Sequence, residues 1–315
     1  MVVNFNNLDV QKVNKLDSLF MKCSALKTIE ILGIDTSNIT WLPYMFCACG
    51  QAETISACTI STKSTQNISY MFAGCHSLKN LDISHFDTSR VEDMSSVFSD
   101  CREIESIDLS AFDTSNATSM HDMFFNCKCI KELNLSKFDT HRVTFMNSMF
   151  SRCSSLTTLD LSNFDTENVL DMNNMFSSCG KLENLNISSF STGTVTNMSS
   201  MFTGLYSIRE LNLSNFDTSN VEHMRAMFMQ CLELRKLDLS SFDTRKVKDI
   251  HGMFMHCKKL EELDISNFRL DNIKAMSNIF KECKSLKLVK LPKHRRSREL
   301  LIEQLRLSYI HCEII

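Results

Sequence analysis

The hydrophobic and polar positions of this chain repeat at one fixed interval. Phe stands at 20, 46, 72, 98, 124, 150, 176, 202, 228, 254 and 280, and Cys follows three residues later in every register except at Leu205. A second Phe series runs through 86, 112, 138, 164, 190, 216, 242 and 268. A fixed period of about 20–50 residues marks a stacked-repeat architecture, and 26 lies in the leucine-rich range. Within one period, Leu78-x-x-Leu81-x-Ile83 alternates like a short strand, placing Leu81 and Ile83 inward and Asn80, Asp82 and Ser84 outward. Phe86 then closes a corner. Asp87-Thr88-Ser89 supply side-chain oxygens for turns and caps. Val91, Met94, Val97, Phe98 and Cys101 follow at helical spacings. Ser89-Arg-Val-Glu92 and Ser219-Asn-Val-Glu222 fit a helix capping box.

The predicted fold is an α/β repeat solenoid, leucine-rich-repeat-like, of about eleven 26-residue coils. A parallel sheet occupies one side and short helices or turns the other. No coil can bury its apolar edge alone, so stacking must turn each inner position into a column. The Phe series and the Met row (94, 120, 146, 172, 198, 224 and 276, with 123, 149, 175, 201, 227 and 253 beside it) are therefore read as core. Residues 1–291 are expected to form a single repeat solenoid, in which Val3 and Phe5 take the places of Leu81 and Ile83. No cap precedes that first strand, which reads as a truncated end, with packing on a partner as the alternative. Leu286, Val289 and Leu291 form the last repeat strand, and Pro292 stops the series. Residues 292–315 read as a basic, amphipathic helical cap, with the helix running from Arg298 to Tyr309. Two coils weaken, at Ala52, Ala57 and Ile60 and at Ser191, Gly193 and Leu205, and both read as drift in a redundant repeat.

The coil Leu159-Asp-Leu-Ser-Asn-Phe-Asp-Thr-Glu-Asn-Val-Leu-Asp-Met-Asn-Asn-Met-Phe-Ser-Ser-Cys179 is similar to the repeat of BspA-like leucine-rich-repeat surface proteins. More narrowly, it resembles the variant repeat shared with mycoplasma lipoprotein-associated repeat proteins. The resemblance implies a secreted or cell-surface protein that recognises or adheres to a protein partner, host or cell-surface, without catalysis or cofactor. The opening Met1-Val-Val-Asn-Phe5 departs from the surface members, showing neither a signal peptide nor a lipobox Cys, and no sorting signal follows. A cytoplasmic location and an intracellular structural or interaction scaffold are the alternatives.

Composition narrows the chemistry. A net charge of −3 gives no overall pull toward nucleic acid, and no stretch is long and apolar enough to span a membrane. Ten of the 14 Cys share one repeat position. A slot that also accepts Leu205 is apolar, which favours buried free thiols over the alternative of disulfides between adjacent coils. Cys47/Cys49 and Cys127/Cys129 lack partners at zinc-site spacing. The nine His share no repeat position, and the chain offers rows of like residues where catalysis needs unlike ones together. No enzyme, cofactor, metal or small-molecule substrate is expected. The row Asp87, Asp113, Asp139, Asp165, Asp217 and Asp243 is read as backbone-capping, with calcium between coils as the alternative. The basic run Lys287, Lys290, Lys293, Arg295, Arg296 and Arg298 is read as a solvated cap; the alternative is a contact for an acidic partner or membrane.

The candidate partner-binding face is the outward side of the strands. One row reads Asp82, Asp108, Asn134, Asp160, Asn186, Asn212, Asp238 and Asp264. A more varied row beside it contains Glu132, Thr158, Asn184, Glu210, Lys236 and Glu262. Together they form a ribbed polar surface for a macromolecular partner, with specificity carried by the varied row.

Overall fold

The computed structural model describes residues 2–4, 10 and 12–315, which divide into two compact units, Met1–Leu156 and Thr157–Ile315. Both units are built from the same coil, stacked in parallel in the manner of a leucine-rich-repeat solenoid. In the first, β1 (Val2–Asn4), β2 (Thr28–Leu32), β3 (Thr54–Ser56) and β4 (Asn80–Asp82) form a parallel sheet in chain order. In the second, β5 (Thr158–Asp160) pairs with β6 (Asn184–Asn186), and β7 (Lys236–Asp238), β8 (Glu262–Asp264) and β9 (Leu288–Lys290) form a further parallel sheet, which β10 (Glu313–Ile314) extends. From β2 to β9 the strand pairs keep the repeat step, as in Ile55 with Leu81 and Leu237 with Leu263. The first strand departs from this register. Val3 lies opposite Ile31, so it takes the place of Ile83 and not of Leu81; Phe5 falls outside the described residues.

On the opposite side of the coil, where short helices or turns were expected, the structure has turns. No coil contains an α-helix among the described residues; Ser95 through Asp100 are turns. Helical spacing there reflects tight turns of about three residues, which also return side chains to one face. Cys101 N–H bonds to the Phe98 carbonyl at 3.2 Å and Ser99 N–H to Ser96 at 3.1 Å. The alternate amides leave the coil altogether: Ser96, Phe98 and Asp100 N–H donate to His121, Met123 and Phe125 carbonyls of the next coil at 2.9, 3.0 and 2.7 Å. A left-handed residue two positions before and two after the column Phe makes this alternation possible. Ser96 and Asp100 have φ of 55° and 60°, and Asp122 and Asn126 repeat the pair at 55° and 59°. The proposed capping boxes have no helix to start. Asp87 accepts from Ser89, and the Glu222 carboxylate binds Lys248 Nζ at 2.5 Å. A second ladder of parallel bridges follows, linking Asn67, Asp93 and Ser119 in one unit and Asn197, His223 and Asp249 in the other.

Columns fill the space between these walls. In the first unit, Phe46, Phe72, Phe98 and Phe124 stack with ring centroids 5.4–6.0 Å apart. Phe202, Phe228 and Phe254 do the same in the second, at 5.6 and 5.8 Å. Such offset aromatic pairs add to the gain from burial. Met94, Met120, Met146, Met172, Met198 and Met224 are fully buried, as are Met123, Met149, Met175, Met201, Met227 and Met253, while Met276 is half-buried. Ala52, Ala57 and Ile60 are fully buried, so that coil is thinner without being open.

At the C-terminal side, the helix α1 spans Arg295–Leu307, three residues earlier than the Arg298 start expected, and ends before Tyr309. It buries Leu301 and Leu305, while Leu300 and Ile310 are half-buried. The helix connects β9 to the parallel β10, a strand the repeat pattern does not contain. Glu313 lies opposite Leu288, one position short of the repeat step. Ser297, buried on α1, accepts from Leu270 N–H at 2.9 Å, where Leu270 stands in the Thr register.

Candidate protein-binding face

Most of the strands are three residues long, and their central residue faces the core. Thr158-Leu159-Asp160 shows the pattern, with Leu159 buried and its neighbours exposed. Along the Asp/Asn row, Asp82, Asp108, Asn134, Asp160, Asn186, Asn212 and Asp238 are exposed and Asp264 is half-buried. In the varied row, Glu132, Thr158, Asn184, Glu210, Lys236 and Glu262 are all exposed. The two rows thus share one face within each unit, as the alternation predicts.

The Asp/Asn row has a local task that alternation alone does not reveal. Each side chain accepts the backbone N–H two residues on: Asp108 from Ser110 at 2.9 Å, Asn134 from Ser136 at 3.2 Å, Asp160 from Ser162 at 3.0 Å, Asn212 from Ser214 at 3.1 Å. These Asx turns end β4 through β8 and recur in the coils between them, which explains why Asp and Asn alternate freely there and why Ser follows. Hydrogen bonds from Ser84 hold the Asp82 carboxyl below the ordinary carboxylate range, and those from Ser110 do the same for Asp108. At Asp264 burial pushes upward, but Ser266 and Lys290 outweigh it and the net direction is down.

Two further rows make the same turn. Asp87, Asp113 and Asp217 accept from Ser89, Ser115 and Ser219 N–H at 3.1, 2.9 and 2.9 Å. Asp93, Asn197 and Asp249 accept from Ser95, Ser199 and His251 at 2.9, 3.0 and 2.8 Å. The carboxylates weighed as calcium ligands are therefore occupied as caps. Among the described residues, no group of three or more His, Cys, Asp or Glu side chains is arranged to hold a metal ion.

Other rows lie inside. Thr88 Oγ1 donates to the Asp113 carbonyl and accepts from Asp113 N–H, both at 2.8 Å, and Thr114 repeats the pair with Asp139. Ladder thiols donate across coils in the same way. Cys101 Sγ reaches the Phe72 carbonyl at 3.3 Å and Cys257 Sγ the Phe228 carbonyl at 3.0 Å. All described cysteines are free thiols, and burial pushes Cys231 and Cys283 up to about 12. The Cys row is therefore a structural ladder with a donor function, and Leu205 keeps only its apolar half.

A row that sequence reading passed over borders the face. Glu53, Lys79, Glu105 and Lys131 alternate in sign at the repeat interval, with Lys79 3.7 Å from Glu53 and Lys131 2.6 Å from Glu105. Arg235, Glu261 and Lys287 continue it in the second unit, at 3.3 and 2.6 Å. The signal was visible as alternating charge at a fixed register. Between β5 and β6 the face is hollowed by a cleft of about 690 Å³, lined by Thr158, Asp160, Asn184, Asn186, Arg209 and Glu210 among others. No helix among the described residues is long and apolar enough to cross a membrane.

Comparison with solved structures finds leucine-rich-repeat proteins at low identity. A leucine-rich repeat protein from Eubacterium ventriosum is 15% identical, over 85% of this chain and 73% of that one, with a TM-score of 0.45. A leucine rich cell surface protein from Faecalibacterium prausnitzii is 15% identical over 93% and 86%, with a TM-score of 0.41. The functional domain of InlJ from Listeria monocytogenes, described as including a cysteine ladder, is 15% identical over 90% and 68%, with a TM-score of 0.23. No curated protein matches the sequence. Overlapping segments 2–106, 51–134, 118–230 and 205–291 all match one family, as a repeat in fixed register should, and the chain belongs to the family described as "Mycoplasma protein of unknown function, DUF285".

Proposed function

We propose that the chain is a non-catalytic scaffold that binds a protein partner, in an adhesion or recognition role at the cell surface, through the outward side of its strands. The observation that carries this reading is the division of labour on the face. Asx turns tie the Asp/Asn row to the backbone, and the varied row beside it stands exposed with no repeat-wide structural task. Neighbouring strands of a sheet lie about 4.8 Å apart, so a partner meets a regular ridge whose chemistry changes from coil to coil. The cleft over β5 and β6, where Thr158, Asn184 and Glu210 converge, is the natural centre of that contact. Rows of like side chains do not bring a nucleophile, base and oxyanion donor together, which argues for binding and against catalysis. The test uses immobilised fibronectin, collagen and laminin with the purified chain. Saturable binding to one of them, weakened at least tenfold by Asn184→Arg with Glu210→Lys, is the expected result. These two positions spare the caps, so the variant should keep its circular dichroism and melting midpoint. Absence of binding, or binding unchanged in the variant, would reject the face. An impermeant amine label on intact cells separates location from binding: a chain that stays unlabelled belongs to an intracellular scaffold.

A further inference from the structure

Two acidic rows of the repeat turn basic at neighbouring coils near the end of the second unit. Position by position, the row of Asp160, Asp238 and Asp264 continues as Lys290, and the row of Asp165, Asp217 and Asp243 continues as Arg269. Both replacements fall on the same cleft, a space of about 810 Å³ formed in the second unit where the last coils meet the start of α1. Its wall holds Arg245, Arg269, Lys290, Lys293, His294 and Arg298 against one acidic side chain, Asp243, with Ile315 also on the wall. Drift would scatter such replacements around the coil; here two separate rows change sign toward one cavity. The chain as a whole carries net negative charge, so this concentration runs against the composition.

The charges are unevenly satisfied. Arg245 is held by Asp243 at 2.5 Å, Arg269 by Asp271 at 3.1 Å and Lys290 by Asp264 at 3.0 Å. Lys293 and Arg298 have no carboxylate within ion-pairing distance among the described residues; Lys293 is exposed and Arg298 half-buried. The first turn of α1 contains no acidic residue, and Glu299 in the next position is engaged by Arg295 at 2.8 Å. His294 Nδ1 meets Ser297 Oγ at 2.9 Å and its Nε2 lies 3.6 Å from Asp271 Oδ1, which fixes the ring at the cleft wall.

We propose that this cleft binds a phosphate-bearing anion, with Arg298 and Lys293 as its principal contacts. The volume suits a small ligand. A guanidinium takes phosphate oxygens two at a time, and an ammonium adds a point charge. Carboxylates are the weaker occupants, because three of the chain's own already neutralise three of the five permanent cations. A phosphate group, carrying roughly −1.5 to −2 at neutral pH, brings charge that the two remaining cations lack.

The experiment titrates pyrophosphate into the full chain by calorimetry at low and at physiological salt. Lys293→Glu with Arg298→Glu should weaken binding at least tenfold, whereas Arg296→Glu, on the same helix but outside the cleft wall, should change it less than twofold. Far-UV circular dichroism and the melting midpoint report whether the double variant keeps its fold, and Lys293→Gln with Arg298→Gln gives a milder loss if reversal perturbs it. Vesicles of phosphatidylglycerol identify the source. Binding that the double variant abolishes marks a lipid headgroup, while pyrophosphate binding without vesicle binding marks a soluble phosphate ester. Absence of saturable pyrophosphate binding, equal loss in Arg296→Glu, or tighter binding of an oligo-aspartate peptide would overturn the proposal.

Discussion

Beside the Phe columns, the Thr and Asp/Asn rows repeat because they close hydrogen bonds the backbone of a coil cannot close by itself. Thr114 illustrates it: its hydroxyl is buried, donating to and accepting from Asp139 of the next coil. Thr114→Val keeps the shape and removes both bonds, leaving a buried donor and acceptor; the expected loss is about 1–3 kcal/mol in urea unfolding, with Thr114→Ser closer to the parent. The Asp caps act at the surface and depend on pH. Hydrogen bonding lowers Asp82, Asp108 and Asp160 in the folded chain. Their contribution is present above the unfolded value of about 3.9 and is lost as pH falls through the folded values. The urea midpoint should therefore hold above about pH 5 and decline below it. Asp108→Asn should leave the midpoint at pH 7 near the parent and soften the acid decline, because Asn134 and Asn212 make the same turn without titrating. Asp108→Ala should lower the midpoint at pH 7 as well. A cap lost at pH 7 in the Asn variant would refute the Asx assignment.

At the scale of the element, strands were readable and the opposite wall was left between short helices and turns. Leu81 and Ile83 announce a strand because apolar and polar residues alternate within it. Val97, Phe98 and Cys101 announce only that side chains return to one face every three or four residues, which helices and successive tight turns both achieve. The distinguishing signal is the residue two places from each column Phe. Ser96, Asp122, Asn174 and Gly252 adopt left-handed backbone there, and Ser, Asp, Asn and Gly are residue types that turns favour. Tyr44 and Tyr70 occupy the same position at φ of 58° and 57°, so the stack imposes the conformation even on bulky side chains. At Ser200, with φ of 56°, Asn should be neutral to stabilising and Val destabilising by more than about 1 kcal/mol. Equal midpoints for Ser200→Asn and Ser200→Val in thermal melts would show that the turn does not depend on this residue. The candidate face was likewise half legible: its rows follow from alternation, but the capping role of Asp160 needed coordinates, because a solvated carboxylate and a capping one look alike in sequence.

For the whole molecule, the period is the specification. Strand pairings from β2 to β9 keep the repeat step, and charges such as Lys131 and Glu105 reinforce it. Deleting residues 214–239 removes one period and should leave a folded chain with a single cooperative melt. Deleting 214–238 leaves a one-residue slip that turns inward side chains outward, and should abolish that melt. If both deletions behave alike, register is not what specifies the fold. The departures lie where the strict step ends: Val3 faces Ile31, two positions beyond the step, and Glu313 faces Leu288, one short of it. Pattern reading cannot locate such pairings, since it works by projecting the step that they abandon.

The ladder of thiols has a consequence for how long the protein survives. Folded, Cys101, Cys127, Cys231, Cys257 and Cys283 are sealed from solvent, and burial keeps them protonated. An oxidant therefore meets no reactive thiolate at these five positions until a coil opens, and opening bares thiols of adjoining coils side by side. Mismatched oxidation at that moment is a ratchet, since a bridged pair no longer fits the slots that hold two separate sulfurs. In an oxidising medium the working life of this chain is thus governed by how often its coils breathe, a rate and not an equilibrium.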